Sequence, residues 1–183
     1  CGDATGHGTA SGMMVSITKA GLLGIDSKDP NYIMKTLNKI IKKVDIGRLR
    51  MSLNLAHFQN GSIKLTSAAM PPIYHFEKNK NKVDEIQISN LPLGGLMAEE
   101  FTVLDKKFSK GDVIVMLSDG LPEAPNRTGD LLDYEAVKNC IEKHSLKSAE
   151  EIKDELVKMS DKWMDGIHNP DDITIVVCKK LID

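Results

Sequence analysis

An α+β domain with several, mostly antiparallel strands is what this sequence predicts, on three observations. Four segments carry apolar residues at helical spacing and fall into an early and a late pair. Between the pairs the period changes to two, with hairpin-type turns linking the runs. Two continuous apolar runs, Val113 to Leu117 and Ile173 to Lys179, read as strands belonging in a sheet interior.

The elements follow in chain order. Cys1-Gly2-Asp3-Ala4-Thr5-Gly6-His7-Gly8 sets one carboxylate and a tight Gly-rich turn ahead of a helix over 9–24. Ala10, Met13, Met14, Ile17, Ala20 and Gly21 form that helix's expected inner stripe. Its first turn would aim free N–H groups and a positive dipole end at an anionic ligand such as phosphate. Asp29-Pro30 reads as a cap and first residue of a second helix, with Ile33, Leu37, Ile40, Ile41 and Val44 inward.

From Arg50 the alternation of Met51, Leu53 and Leu55 with polar and small neighbours predicts a strand. Asn60-Gly61 is a hairpin turn before Ile63 and Leu65. Met70-Pro71-Pro72 breaks the run, Ile73 to Phe76 resumes it, and the lysine-rich 77–82 is a solvated turn. A loop at Leu91 to Gly95 leads into the stretch from Glu100 to Leu104, and Val113 to Leu117 then delivers Asp119. The polar, turn-rich 122–130 predicts an exposed loop beside that aspartate. Helices follow from Tyr134 to Lys143 and, after the capping box Ser148-Ala149-Glu150-Glu151, through Ile152, Leu156, Met159 and Trp163 to Gly166.

A chain of 183 residues that is 41% hydrophobic is the size of one domain with a sizeable core. Its 24 basic and 26 acidic residues leave a net charge of −2, which announces neither a nucleic-acid nor a membrane partner. The three cysteines, Cys1, Cys140 and Cys178, lie far apart and form no Cys-x-x-Cys pair, so a reducing, cytoplasmic setting is expected. No apolar run approaches membrane-helix length and no basic leader is present. The chain starts without methionine and directly at a motif, so it reads as one domain of a longer protein, with an upstream sensor or anchor expected in the parent.

Three aspartates at strand ends, Asp3, Asp119 and Asp171, suggest a hard-metal site, since all-oxygen ligand sets select ions such as Mg²⁺ or Mn²⁺. No Cys-x5-Arg signature, Gly-x-Ser-x-Gly elbow or Gly-x4-Gly-Lys loop supports covalent catalysis or NTP hydrolysis. Metal-assisted hydrolysis remains.

The order Gly2-Asp3-Ala4-Thr5-Gly6-His7-Gly8, then Ser118-Asp119-Gly120-Leu121-Pro122-Glu123-Ala124, then Asp171-Asp172-Ile173-Thr174-Ile175-Val176-Val177 resembles the SpoIIE-like branch of the PPM metal-dependent serine/threonine protein phosphatases. The resemblance implies a four-layer α-β-β-α sandwich flanked by helix pairs, and two Mn²⁺ or Mg²⁺ ions that activate a water for attack on a phosphoester. It makes Asp3, Asp119 and Asp171 catalytic through that water. Asp3 would bridge the ions, the Ala4 carbonyl would help hold one, and Asp119 and Asp171 would complete the set. Either residue of the Asp171-Asp172 pair can ligate; Asp172 is placed in support, with His7 and Gly120.

By the same resemblance, the substrate would be a phosphorylated STAS-type anti-sigma-factor antagonist in bacterial partner switching. The family domain usually begins with a strand carrying a further metal-binding aspartate, and nothing precedes Cys1. The N-terminal strand is therefore expected to be missing, leaving a fragment whose site is incomplete and a sheet edge open to self-association. A second departure is Ser67-Ala68-Ala69-Met70-Pro71-Pro72 where the family often has Ala-Gly-His-Pro-Pro. The competing reading is a non-catalytic interaction module on a phosphatase fold. A phosphodiesterase or nuclease would share the chemistry but lacks a basic groove signal.

Overall fold

The computed structural model describes residues 1–95 and 100–182. Its elements run β1 (Gly2–Ala4), α1 (Thr9–Gly24), α2 (Pro30–Val44), β2 (Met51–Gln59), β3 (Ser62–Ala68), β4 (Ile73–Glu77), β5 (Lys82–Ile86), β6 (Leu104–Lys107), β7 (Val113–Leu117), α3 (Tyr134–His144), α4 (Ala149–Met164) and β8 (Ile175–Lys179). This is an α+β fold with two antiparallel four-stranded sheets and four helices among the described residues. Among them, no helix is long and apolar enough to cross a membrane. The residues divide into two compact units, each holding one sheet and one helix pair.

One unit comprises residues 2–70 and 88–107. Its strand order is β1-β2-β3-β6, antiparallel throughout. The β2–β3 hairpin turns at Asn60 and Gly61, both with positive φ (44° and 79°), the backbone that a two-residue hairpin needs. Asp29 caps α2 by accepting the Asn31 N–H at 3.2 Å, and Pro30 opens the helix. Ile33, Met34, Leu37 and Ile41 are buried against Met14, Leu53, Ala68, Leu93 and Phe101. Val44, expected on this inner stripe, is instead 49% exposed, at the last turn of the helix.

The inner stripe of α1 is also narrower than its apolar spacing suggests. Met14 and Thr18 are its buried residues, whereas Met13 is 52% exposed and Ala20 faces solvent. The reason lies at Gly21, where a Cβ would stand 3.0 Å from Leu37 and 3.4 Å from Ile40. Close approach to α2 along the Met14–Thr18–Gly21 line rolls the other apolar residues outward. Of the stretch from Glu100 to Leu104, only Leu104 pairs in the sheet. The residues before it are held at α2, where Asn31 Oδ1 accepts the Phe101 N–H at 2.9 Å and Lys35 meets Glu100 at 2.8 Å.

The other unit comprises Cys1, residues 71–87 and residues 108–183. Its strand order is β5-β4-β7-β8, with β7 wholly buried, as its unbroken Val-Ile-Val-Met-Leu run requires. β8 departs from expectation. Despite its Ile-Val-Val run it ends the sheet, pairs only with β7 among the described residues, and is half-buried along its whole length. It also starts at Ile175, because residues 173–174 are spent in the loop at the end of β7. On this sheet α3 and α4 bury Val137, Ile141, Ile152 and Leu156 against Tyr74, Val115 and Leu117. The capping box of α4 is present in both directions, Ser148 Oγ accepting the Glu151 N–H at 3.2 Å and Glu151 the Ser148 N–H at 2.9 Å. The expected open loop at 122–130 is exposed at Glu123 and over 127–130; Leu121, Pro122 and Ala124 are buried, with Leu121 and Ala124 in the core.

Candidate metal centre

The expected site residues divide between the units. In the first, Asp3 sits mid-strand in β1, opposite Ser52, and Ala4 is buried in the core opposite Met51. The turn after them is fastened to the start of β2. Thr5 N donates to the Arg50 carbonyl at 3.0 Å, and Thr5 Oγ1 accepts the Arg50 N–H at 2.7 Å. Ser11 Oγ of α1 donates to the Thr5 carbonyl at 3.1 Å. Gly6 and Gly8 both take φ of 81°, where a side chain would be strained. Among the described residues no side chain caps α1, so no capping side chain takes up its first N–H groups. His7 is exposed and makes no hydrogen bond among the described residues.

In the second unit the end of β7 and the segment before β8 are locked side by side. Ser118 supplies three bonds across 54 to 56 residues of chain. Its N–H donates to the Thr174 carbonyl at 3.0 Å, its Oγ donates to the Asp172 carbonyl at 3.0 Å, and the same Oγ accepts the Thr174 N–H at 2.9 Å. Asn169 ties the other side. Its Nδ2 donates to the Gly120 carbonyl at 2.7 Å while its Oδ1 accepts the Asp171 N–H at 3.3 Å. Between these ties Gly120 lies so close that a Cβ there would be 2.4 Å from the Asp172 carbonyl oxygen. Glycine is required here for approach, not for turn geometry.

This lock brings Asp119 and Asp171 together, with a carboxylate oxygen of each within 4.8 Å of the other. Asp171 is exposed, and its Oδ1 accepts the Asp172 N–H at 2.8 Å. Asp172 instead contributes its backbone carbonyl to Ser118. Asp119 Oδ1 is buried without a hydrogen-bond partner among the described residues. Two carboxylates held this close, one with an oxygen taken out of water and given no donor, form an arrangement that a cation relieves. The donor set is all oxygen, which fits Mg²⁺ or Mn²⁺.

Sequence reasoning missed Ser118 and Asn169 as positioning residues, although the Asn-Pro pair at 169–170 is a turn signal that marks the segment. It also missed Tyr134, in the first turn of α3. Burial first, then the carboxylates of Glu123 and Asp119 and a hydrogen bond with Glu123, push its hydroxyl above the ordinary tyrosine value. Tyr134 therefore stays a proton donor throughout the neutral range.

A family model described as Stage II sporulation protein E (SpoIIE) matches residues 1–180. The phosphoserine phosphatase RsbU of Bacillus subtilis is 24% identical over 188 residues, covering 98% of this chain and 54% of RsbU. The stage II sporulation protein E of the same organism is 26% identical over 160 residues, covering 85% of this chain and 18% of that protein. The chain thus spans about half or less of the length of these relatives. Among solved structures, the SiaA-PP2C domain of Pseudomonas aeruginosa superposes with a TM-score of 0.84 at 16% identity, over 97% of this chain and 73% of that one. The catalytic domain of the serine/threonine protein phosphatase PstP, in complex with two manganese ions, gives 0.71 at 16% identity over 100% and 86%. The β1 turn, the Ser118-Asp119-Gly120 lock and the Asp171-Asp172 segment all fall within the stretch that the family model spans, and the chain belongs to the SpoIIE family of PPM serine/threonine protein phosphatases.

Proposed function

We propose that this chain is a metal-dependent phosphatase domain that hydrolyses phosphoserine or phosphothreonine in a protein substrate. The observation that carries this is the locked Asp119–Asp171 pair, with the buried, donorless Oδ1 of Asp119. In this reading the two sheets stack as the inner layers of an α-β-β-α sandwich. Asp3 joins Asp119 and Asp171, and the Ala4 carbonyl takes part in the same ligand set. Two Mn²⁺ or Mg²⁺ ions held there supply charge neutralisation of the phosphoryl group and acidification of the attacking water.

The chain's own residues do the rest. Asp3, Asp119 and Asp171 fix the reacting centre, while Ser118, Gly120 and Asn169 set the spacing of the last two. The uncapped N–H groups of α1 favour the approach of a phosphate group. Tyr134 offers a hydrogen-bond donor near Asp119 and Glu123.

Likeness to RsbU supports a phosphorylated STAS-type anti-sigma-factor antagonist as substrate, in a cytoplasmic partner-switching pathway with a sensor domain elsewhere in the parent protein. The test is Mn²⁺-dependent hydrolysis of a phosphoseryl peptide, read beside calorimetric Mn²⁺ binding, for the wild type and for Asp3→Asn and Asp119→Asn. Both variants are expected to lose activity and to bind fewer ions than the wild type. Mn²⁺ binding that neither substitution alters would overturn the ligand assignment. Intact Mn²⁺ binding with no hydrolysis would favour the non-catalytic module.

A further inference from the structure

Between α3 and α4 lies a groove that the phosphatase chemistry does not use. It is an open cavity of about 560 Å³. From α3 it is lined by Ala136, Asn139, Cys140, Lys143 and His144. From α4 it is lined by Glu155, Lys158, Met159, Lys162 and Trp163. Each set repeats the offsets i, i+3, i+4, i+7 and i+8, which is one continuous face of an α-helix over two turns. Two such faces, each about 12 Å long, on helices joined by the short link 145–148, line one trough. That shape accepts a third helix laid along it.

The chemistry of the trough narrows the occupant. Ala136, Cys140, Met159 and Trp163 form an apolar floor with Leu132. Trp163 is held in place, its indole N–H donating to the Ala124 carbonyl at 3.1 Å, so it offers a rigid aromatic anchor. Met159 adds an adaptable surface beside it. Glu155 is already engaged, with Lys147 at 3.1 Å and Lys158 at 3.5 Å. That leaves Lys143 on one ridge and Lys162 on the other, both exposed and, among the described residues, without an ion-pair partner. An apolar floor between two free cations is complementary to an amphipathic helix with acidic flanks.

We propose that the α3–α4 groove is a docking site for an acidic amphipathic helix of a partner protein. The helix seats its apolar stripe on Ala136, Cys140, Met159 and Trp163 and sets carboxylates against Lys143 and Lys162. The site is independent of the metal centre and would function in an inactive variant as well.

Trp163 is the chain's single tryptophan, so its fluorescence reports on the groove alone. The probe is a synthetic helical peptide with leucines at i, i+3, i+4 and i+7 flanked by glutamates, beside a copy with lysines in place of the glutamates. The acidic peptide is expected to shift Trp163 emission saturably. The Lys143→Glu/Lys162→Glu variant, its folding checked by circular dichroism, should bind that peptide about tenfold or more weakly and gain affinity for the lysine copy. No saturable shift, equal binding of both peptides, or indifference to the charge reversal would each overturn the proposal. A shift with anionic phospholipid vesicles but not with the peptide would overturn it in favour of a membrane surface.

Discussion

Replacing Gly120 with alanine would place a methyl carbon 2.4 Å from the carbonyl oxygen and 3.0 Å from the carbonyl carbon of Asp172. Non-bonded carbons settle at about 3.5 to 4.0 Å, so the end of β7 and the segment before β8 must part by about 1 Å. Both obstructing atoms belong to the backbone, and no rotamer change relieves the clash. A parting of that size stretches the 2.7 Å Asn169–Gly120 bond and the 3.0 Å Ser118–Asp172 bond past the range of effective hydrogen bonds. Overpacking and the weakened bonds together should destabilise the fold by about 2 to 4 kcal/mol. Metal affinity should fall as well, since Asp119 and Asp171 separate with their loops, by about tenfold for each 1.4 kcal/mol needed to draw them together again. Urea unfolding without metal reads the first effect and calorimetric Mn²⁺ titration the second. A Gly120→Ala protein with the wild-type unfolding midpoint and the wild-type Mn²⁺ affinity would refute the argument that this contact sets the carboxylate spacing.

Three other outcomes are expected. Ser118→Ala removes both bonds of the Ser118 hydroxyl while keeping its backbone bond to Thr174, and should cost about 1 to 3 kcal/mol in urea unfolding with an unchanged m-value; a loss below about 0.5 kcal/mol would show that water replaces the hydroxyl there. Gly12→Ala falls inside α1 with nothing within 4 Å of the new methyl, and should raise stability by about 0.5 to 1 kcal/mol; a lower thermal midpoint would mean that α1 needs flexibility at this turn. Hydrogen bonds from the Ser148 backbone N–H and from the Ser148 side chain hold the Glu151 carboxyl below its ordinary value of 4.5. The charge-dependent part of its capping is therefore present above that value and lost as pH falls through the folded value. Glu151→Gln keeps a capping group but removes the titration, so the stability difference from wild type should be flat at neutral pH and shrink in acid; a difference independent of pH would count against the capping carboxylate.

The candidate site residues stood out in the sequence because they are chemically conspicuous: three aspartates, each beside a turn or the end of an apolar run. Their spacing was not legible. Ser118 and Asn169 are ordinary polar residues in sequence, and only their bonds to Asp171, Asp172, Thr174 and Gly120 show that they hold two carboxylates within 4.8 Å. The buried, donorless oxygen of Asp119 is likewise a property of its surroundings, since an aspartate after a strand is as readily solvated.

The sequence by itself determined the features whose causes lie within a few residues. The Asp29-Pro30 start of α2, the Ser148–Glu151 capping box, the Asn60-Gly61 hairpin and the buried run of β7 each follow from local bonds, backbone preferences or periodicity. Tertiary structure alone decided which face of α1 turns inward, since Gly21 packs on residues of α2 sixteen or more positions away. It also decided that the apolar run of β8 ends its sheet and that Leu121 and Ala124 enter the core. Periodicity records that a segment has an apolar side; which neighbours cover that side depends on strand order and helix approach, and these are settled by contacts between residues far apart in the chain.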